Sequence, residues 1–179
     1  MLALAKRHNM KLTCFGTVAG GWLSDKFLGV GNSANEALRK IAGGHPTVSL
    51  RMYSSGLQSW SGGDWFLFQE LLQILRKIAD EKARSLGLDV VRVSIANIAA
   101  QWVLDMIHKK GSGGGVIIGI RDTNHLAETK LLLDHNGEDG DMHLTNDQLT
   151  RIERVLDKGN FPTGEDIWSK ERGDGHDDL

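Results

Sequence analysis

The stretch GVIIGIRDTNHLAET, residues 115–129, holds the residues best suited to chemistry. A short apolar run ends at Gly119, where a missing side chain lets a ligand approach the backbone, and the planar guanidinium of Arg121 suits a phosphate. The residues that follow are typical of a helix start, whose free N–H groups and positive dipole end attract anions. The pattern predicts a phosphate site, but a plain strand-to-helix corner with an exposed arginine would have the same spacing.

Three other motifs do not predict a site. GVGNSA, residues 29–34, follows no clear strand and has no acidic residue about 20 positions later, so a helix cap at Asn32 or Ser33 explains it better than a dinucleotide fingerprint. DHNGEDGDMH, residues 134–143, lacks the glycine and glutamate of a calcium loop and reads as a solvated acidic loop. Cys14 lies in an apolar segment, where we expect a buried, inert thiol. We therefore predict no metal site.

The elements that position the phosphate site follow from apolar periodicity. We predict buried strands at residues 11–18 and 116–120, the second continuous and buried on both faces. Four helices are predicted at residues 2–8, 33–41, 66–83 and 124–133. Two more are predicted from their caps: one begins after Ser94, and the last begins at a capping box formed by Thr145 and Gln148. Apart from one short helix, residues 28–61 are predicted to be an irregular loop. Strands that alternate with helices indicate an α/β fold with parallel strands.

Composition narrows the function classes. The 179 residues carry a net charge of -2, which does not favour nucleic acid or an anionic membrane as a partner. A single cysteine excludes an internal disulfide, and no apolar run reaches the roughly 18 residues of a membrane helix. We therefore expect a cytoplasmic protein. Residues 1–158 are predicted to form the folded part, and residues 159–179 a polar tail.

Several blocks of the sequence together resemble the aldo-keto reductases, in the order in which that family has them. KLTCFGTVAGGWLSDKFLG resembles its seventh barrel strand and the following loop, and GVIIGIRDTNHLAET resembles its eighth strand and the following helix. Between them, SLRMY, GGDWFLFQELLQILRKIAD and VSIANIAAQWVLD resemble the intervening helices, and the ending GDGHDD is similar to one found in some members. The resemblance implies the C-terminal portion of a (β/α)₈ TIM barrel, about strands 7 and 8 with their helices, incomplete as a barrel.

The resemblance also implies NADP(H) as cofactor and a role for each matching residue. Phe15 matches an aromatic residue that stacks on the nicotinamide, and stacking needs only the ring. The residues that match the remaining cofactor contacts are Gly16, Thr17 and Val18 at the pyrophosphate, Gly119, Ile120 and Arg121 at the 2′-phosphate, and His125, Glu128 and Thr129 at the adenosine end. Two of these depart from the family pattern: His125 stands where arginine or glutamine is frequent, and Thr129 where asparagine is usual.

The family reduces aldehydes or ketones with a tyrosine acid that lysine, aspartate and histidine assist, and no residue here matches these four. The only tyrosine, Tyr53, lies in the predicted loop, so we assign no catalytic residue. The chain is expected to hold the cofactor, to be inactive alone, and to associate through exposed barrel edges. It would then be a truncated product, an incomplete gene model or half of a split enzyme. The alternatives are a non-catalytic NADP(H)-binding or interaction module and another phosphate-binding barrel.

Overall fold

The structure is a computed structural model that describes residues 1–43, 45–120, 123–134 and 142–160; of residues 91, 124, 133 and 134 it describes the backbone alone. Seven α-helices and two strands lie within these ranges. In chain order they are α1 (Leu2–Arg7), β1 (Leu12–Cys14), α2 (Ala34–Ala42), α3 (Val48–Ser61), α4 (Trp65–Ser85), α5 (Ile95–Lys109), β2 (Gly114–Val116), α6 (Thr123–Asp134) and α7 (Asn146–Leu156). Short 3₁₀ turns occupy Ala19–Gly21, Asp25–Phe27 and Val90–Arg92.

The two strands pair in parallel, with Leu12 opposite Gly114 and Cys14 opposite Val116. The α/β class is thus confirmed, although the described part is mostly helical. Both strands are shorter than predicted, and β2 begins two residues earlier than expected, at Gly114. A Cβ at Gly114 would collide with the backbone of Leu12, so a glycine is needed where the strands come this close.

The apolar segment after β2 is not buried on both faces, which contradicts the prediction for residues 116–120. Ile117 is 58% exposed and Ile120 is 50% exposed, while Ile118 alone of the three packs on the core. The last ladder bond runs from Ile117 N to Cys14 O, at 2.7 Å. The sequence indicated the apolar character of this segment correctly, but burial requires packing partners, and the described residues leave Ile117 and Ile120 about half exposed.

The short helix predicted within residues 28–61 is confirmed as α2, but the loop predicted for the rest is wrong, because α3 occupies Val48–Ser61. The α2 helix starts as expected, with Ser33 Oγ accepting from Glu36 N at 3.2 Å. The 14 residues of α3 are capped by Thr47, whose side chain accepts from Leu50 N. Serines and a glycine hid the helical spacing of its inward residues, which are Leu50, Tyr53, Leu57 and Trp60.

The core lies around α4, which packs against α3, α5, α7 and two of the 3₁₀ turns. Asp64 caps α4 by accepting from Phe66 N at 2.8 Å and from Leu67 N at 3.3 Å. A buried aromatic cluster joins the segment after β1 to this helix, with Trp22 stacked on Phe27 at 4.7 Å between centroids and edge-on to Phe68 at 6.1 Å. Across the described ranges, no helix combines the length and apolar character that crossing a membrane requires.

Candidate functional site

The carboxyl ends of β1 and β2 meet at one edge of the sheet. Because the strands are parallel and in register, the segments of residues 15–18 and 117–120 leave the sheet side by side. The bond between Ile117 N and Cys14 O joins them where they leave. Ligands of α/β folds and barrels bind at this edge. The structure therefore brings together two of the predicted groups, which stand about a hundred residues apart in the sequence.

The segment after β1 offers an aromatic ring followed by backbone donors. Phe15 is 61% exposed at the strand end. The chain then turns at Gly16, whose φ is +70°, and Ala19 N closes the turn on Gly16 O at 2.8 Å. Within the part of the chain that the structure describes, the N–H groups of Gly16, Thr17 and Val18 donate no hydrogen bond. Three successive donors of this kind can bind an anion.

Tyr53 of α3 lies against this turn, which sequence reasoning missed. A Cβ at Gly16 would lie 2.8 Å from Cε1 and 2.9 Å from Cζ of the Tyr53 ring, and one at Gly20 would lie 2.6 Å from its Cδ2. Burial raises the pKa of the Tyr53 hydroxyl above its ordinary value. The helical spacing of Tyr53 with Leu50 and Leu57 was the signal that could have placed it.

The segment after β2 opens onto solvent and leads into α6. Gly119 is exposed, and no heavy atom lies within 4 Å of the position that its Cβ would take. Arg121 lies outside the described residues. The α6 helix starts at Thr123, one residue before its predicted start. His125, Glu128 and Thr129 share one face of it at i, i+3 and i+4 spacing, with Glu128 exposed and the other two partly buried.

Of the motifs that were not assigned a site, the structure describes two in full and the third in part. GVGNSA follows a 3₁₀ turn instead of a strand, and Ser33 caps α2. Most of residues 134–143 lies outside the description, but His143 Nδ1 lies 2.7 Å from Oδ1 of the buried Asp105. Over the described ranges, no group of three or more histidine, cysteine or acidic side chains could hold a metal ion. Cys14 is partly buried instead of fully buried, because its strand stands at the edge of a small sheet.

Comparison with known proteins gives one match. The model of the Aldo/keto reductase family matches residues 1–156 of the 179. Neither the curated proteins nor the solved structures include a significant match. A family match over most of the chain implies a TIM-barrel fold and an oxidoreductase function, and a nicotinamide cofactor fits that function.

Proposed function

The chain belongs to the aldo/keto reductase family, and we propose that the edge where β1 and β2 end is the NADP(H)-binding end of a family barrel. In this proposal β1 and β2 correspond to the seventh and eighth barrel strands. The observation that carries the proposal is the parallel pairing of Leu12–Cys14 with Gly114–Val116, which sets the two predicted cofactor segments side by side. Barrels of this class often hold phosphate groups beyond these two strands.

The described residues fit the extended dinucleotide. Phe15 places an aromatic ring that is 61% exposed where a nicotinamide would stack. The N–H groups of residues 16–18, which donate no hydrogen bond within the described part of the chain, suit a pyrophosphate. The space beside Gly119 leaves room for a ligand next to the backbone. In the proposal Gly119, Ile120 and Arg121 together bind the 2′-phosphate. The adenine lies on the face of α6 that carries His125, Glu128 and Thr129.

The proposed reaction is hydride transfer between NADPH and an aldehyde or ketone, with the hydride supplied by the bound cofactor. This chain's residues bind and orient that cofactor. In this proposal Tyr53 does not serve as the acid, because its ring lies against the turn at Gly16 and it does not match the family's catalytic tyrosine. We therefore propose that the chain shows no turnover by itself, and that the acid comes from another part of a complete barrel.

The alternative is a non-catalytic NADP(H)-binding or interaction module. The observation that favours it is the exposure of Phe15, Ile117 and Ile120 beside strands that have one partner each among the described residues. Such edges and apolar side chains suit association with another polypeptide segment. Stable, cooperative folding of the chain with cofactor binding and no turnover, even when other barrel segments are supplied, would favour this alternative.

The test compares NADPH and NADH binding to the wild-type chain and to Arg121→Ala, by quenching of tryptophan fluorescence. A charge-assisted bond to a phosphate contributes about 1.5–3 kcal/mol, so we expect NADPH to bind about 10- to 100-fold more weakly to Arg121→Ala and NADH to be nearly unaffected. Arg39→Ala, which alters an exposed arginine of α2, is the matched control and should change neither affinity. Equal weakening of both cofactors, or preference of the wild type for simple sugar phosphates, would contradict the proposal.

A further inference from the structure

One buried amide joins the start of α5 to the middle of α6. Asn97 is 3% exposed in the first turn of α5. Its Oδ1 accepts from both N and Oγ of Ser94, at 3.0 Å each, which completes the capping box of α5. Its Nδ2 donates to the backbone oxygen of Glu128 in α6 at 2.9 Å. The two ends of one side chain therefore hold two different helices.

The bond to Glu128 acts on the half of α6 that has few other described contacts with the core. The described apolar contacts of α6 come from its C-terminal half, where Leu132 is 4% exposed and Leu131 packs on the core. In the N-terminal half Leu126 is 54% exposed. Asn97 provides a polar tie between this half and α5. A directional bond from a buried donor fixes position more sharply than apolar packing does.

The start of α5 is also tied to the segment after β1. Oδ2 of Asp25 accepts from Ile95 N at 3.0 Å, and its Oδ1 lies 2.6 Å from Nη1 of Arg76 in α4. The first turn of α5 therefore contacts both the chain that follows the Phe15 segment and the helix that follows the Gly119 segment. These contacts connect the two segments of the candidate site through the first turn of α5.

We infer that Asn97 is a positioning residue of the cofactor site, which sets the face of His125, Glu128 and Thr129 against the segment after β1. This inference rests on the proposed function, since α6 is the proposed adenosine-binding helix. Asn97 does not contact the cofactor in this account. It acts through the backbone of Glu128, and its loss displaces the face that the cofactor meets.

The decisive variant is Asn97→Asp, which keeps the size and the Oδ1 acceptor but puts a carboxylate oxygen opposite the Glu128 carbonyl. The matched control is Ser94→Ala, which weakens the same cap without touching α6. Asn97→Asp should raise the Kd for NADPH about tenfold and speed amide hydrogen exchange across α6, while Ser94→Ala should change neither by more than about twofold. Asn97→Ala, which introduces no charge, should repeat the effects of Asn97→Asp and serves if that variant does not fold.

The outcomes separate this inference from the proposed function. If the wild type fails to bind NADPH, the proposed function is wrong, and exchange in α6 without ligand still decides the role of Asn97. The inference is supported if amide exchange in α6 becomes faster in the Asn97 variants and not in Ser94→Ala. Equal exchange and equal Kd changes in the Asn97 and Ser94 variants overturn it, because they would show that the cap of α5 accounts for the whole effect.

Discussion

Replacement of Gly16 by alanine tests the contact between the proposed pyrophosphate segment and α3. The structure offers a control with nearly the same φ, which is +70° at Gly16 and +71° at Gly29. A Cβ at Gly16 would lie 2.8 and 2.9 Å from two ring carbons of Tyr53, whereas one at Gly29 would have no heavy atom within 4 Å. The two substitutions thus share the backbone cost and differ in the clash.

The expected loss of stability follows from these two terms. A left-handed conformation costs alanine about 1–2 kcal/mol more than it costs glycine. Overpacking against a ring that is held by α3 adds about 1–3 kcal/mol. We therefore expect the free energy of unfolding to fall by about 1–2 kcal/mol in Gly29→Ala and by about 2–5 kcal/mol in Gly16→Ala. In the background of Tyr53→Leu, the extra loss at Gly16 should shrink towards the backbone cost alone.

The assay is urea unfolding followed by tryptophan fluorescence, for which the chain has 5 tryptophans. The proteins compared are the wild type, Gly16→Ala, Gly29→Ala, Tyr53→Leu and the double variant that combines Gly16→Ala with Tyr53→Leu. Equal losses in Gly16→Ala and Gly29→Ala would refute the reasoning, and so would additive effects of Gly16→Ala and Tyr53→Leu. Either result would mean that the ring does not support the turn.

Two further predictions concern parts of the fold away from the site. The Arg151 guanidinium donates to Glu81 and holds the pKa of that carboxyl below its usual range. The pair therefore stabilises the fold at neutral pH, and its contribution disappears as the pH falls through the lowered pKa. The difference in urea midpoint between wild type and Glu81→Gln should therefore shrink from pH 7 to about pH 3, and a constant difference would contradict the assignment. Trp22→Phe should lower the free energy of unfolding by about 1–3 kcal/mol, because buried Trp22 Nε1 donates to Leu50 O at 2.8 Å and phenylalanine cannot. Urea unfolding measures this loss, and one below about 0.5 kcal/mol would show that water or another donor replaces the indole.

Local chemistry made the helix starts predictable. Ser33, Ser94 and Thr145 cap α2, α5 and α7 as expected, and the box of Thr145 with Gln148 forms. A cap needs only a side-chain oxygen and an amide two or three residues later, so a few residues of sequence contain the whole interaction. The amphipathic pattern of α4 was read correctly for the same reason, since its spacing lies within one segment.

The lengths of the strands and the depth of burial depended on distant partners. The sequence indicated apolar segments at residues 11–18 and 116–120, but pairing stops at Cys14 and Val116, where the chain turns at Gly16 and the partner strand offers no further ladder. The apolar spacing of Leu50, Tyr53 and Leu57 was present in the sequence, yet serines and glycines around it favoured a loop. Context of this kind is not contained in one segment.

By itself, the sequence determined the family and identified candidate cofactor residues by their order along the chain. Only the tertiary structure decided that Phe15 and Gly119 belong to neighbouring strand ends, that Tyr53 supports the turn at Gly16, and that Asn97 reaches Glu128. The physical reason is the range of the forces involved. Caps and helical periodicity act over a few residues, whereas strand register, ring packing and a buried amide between helices exist only after distant segments have met.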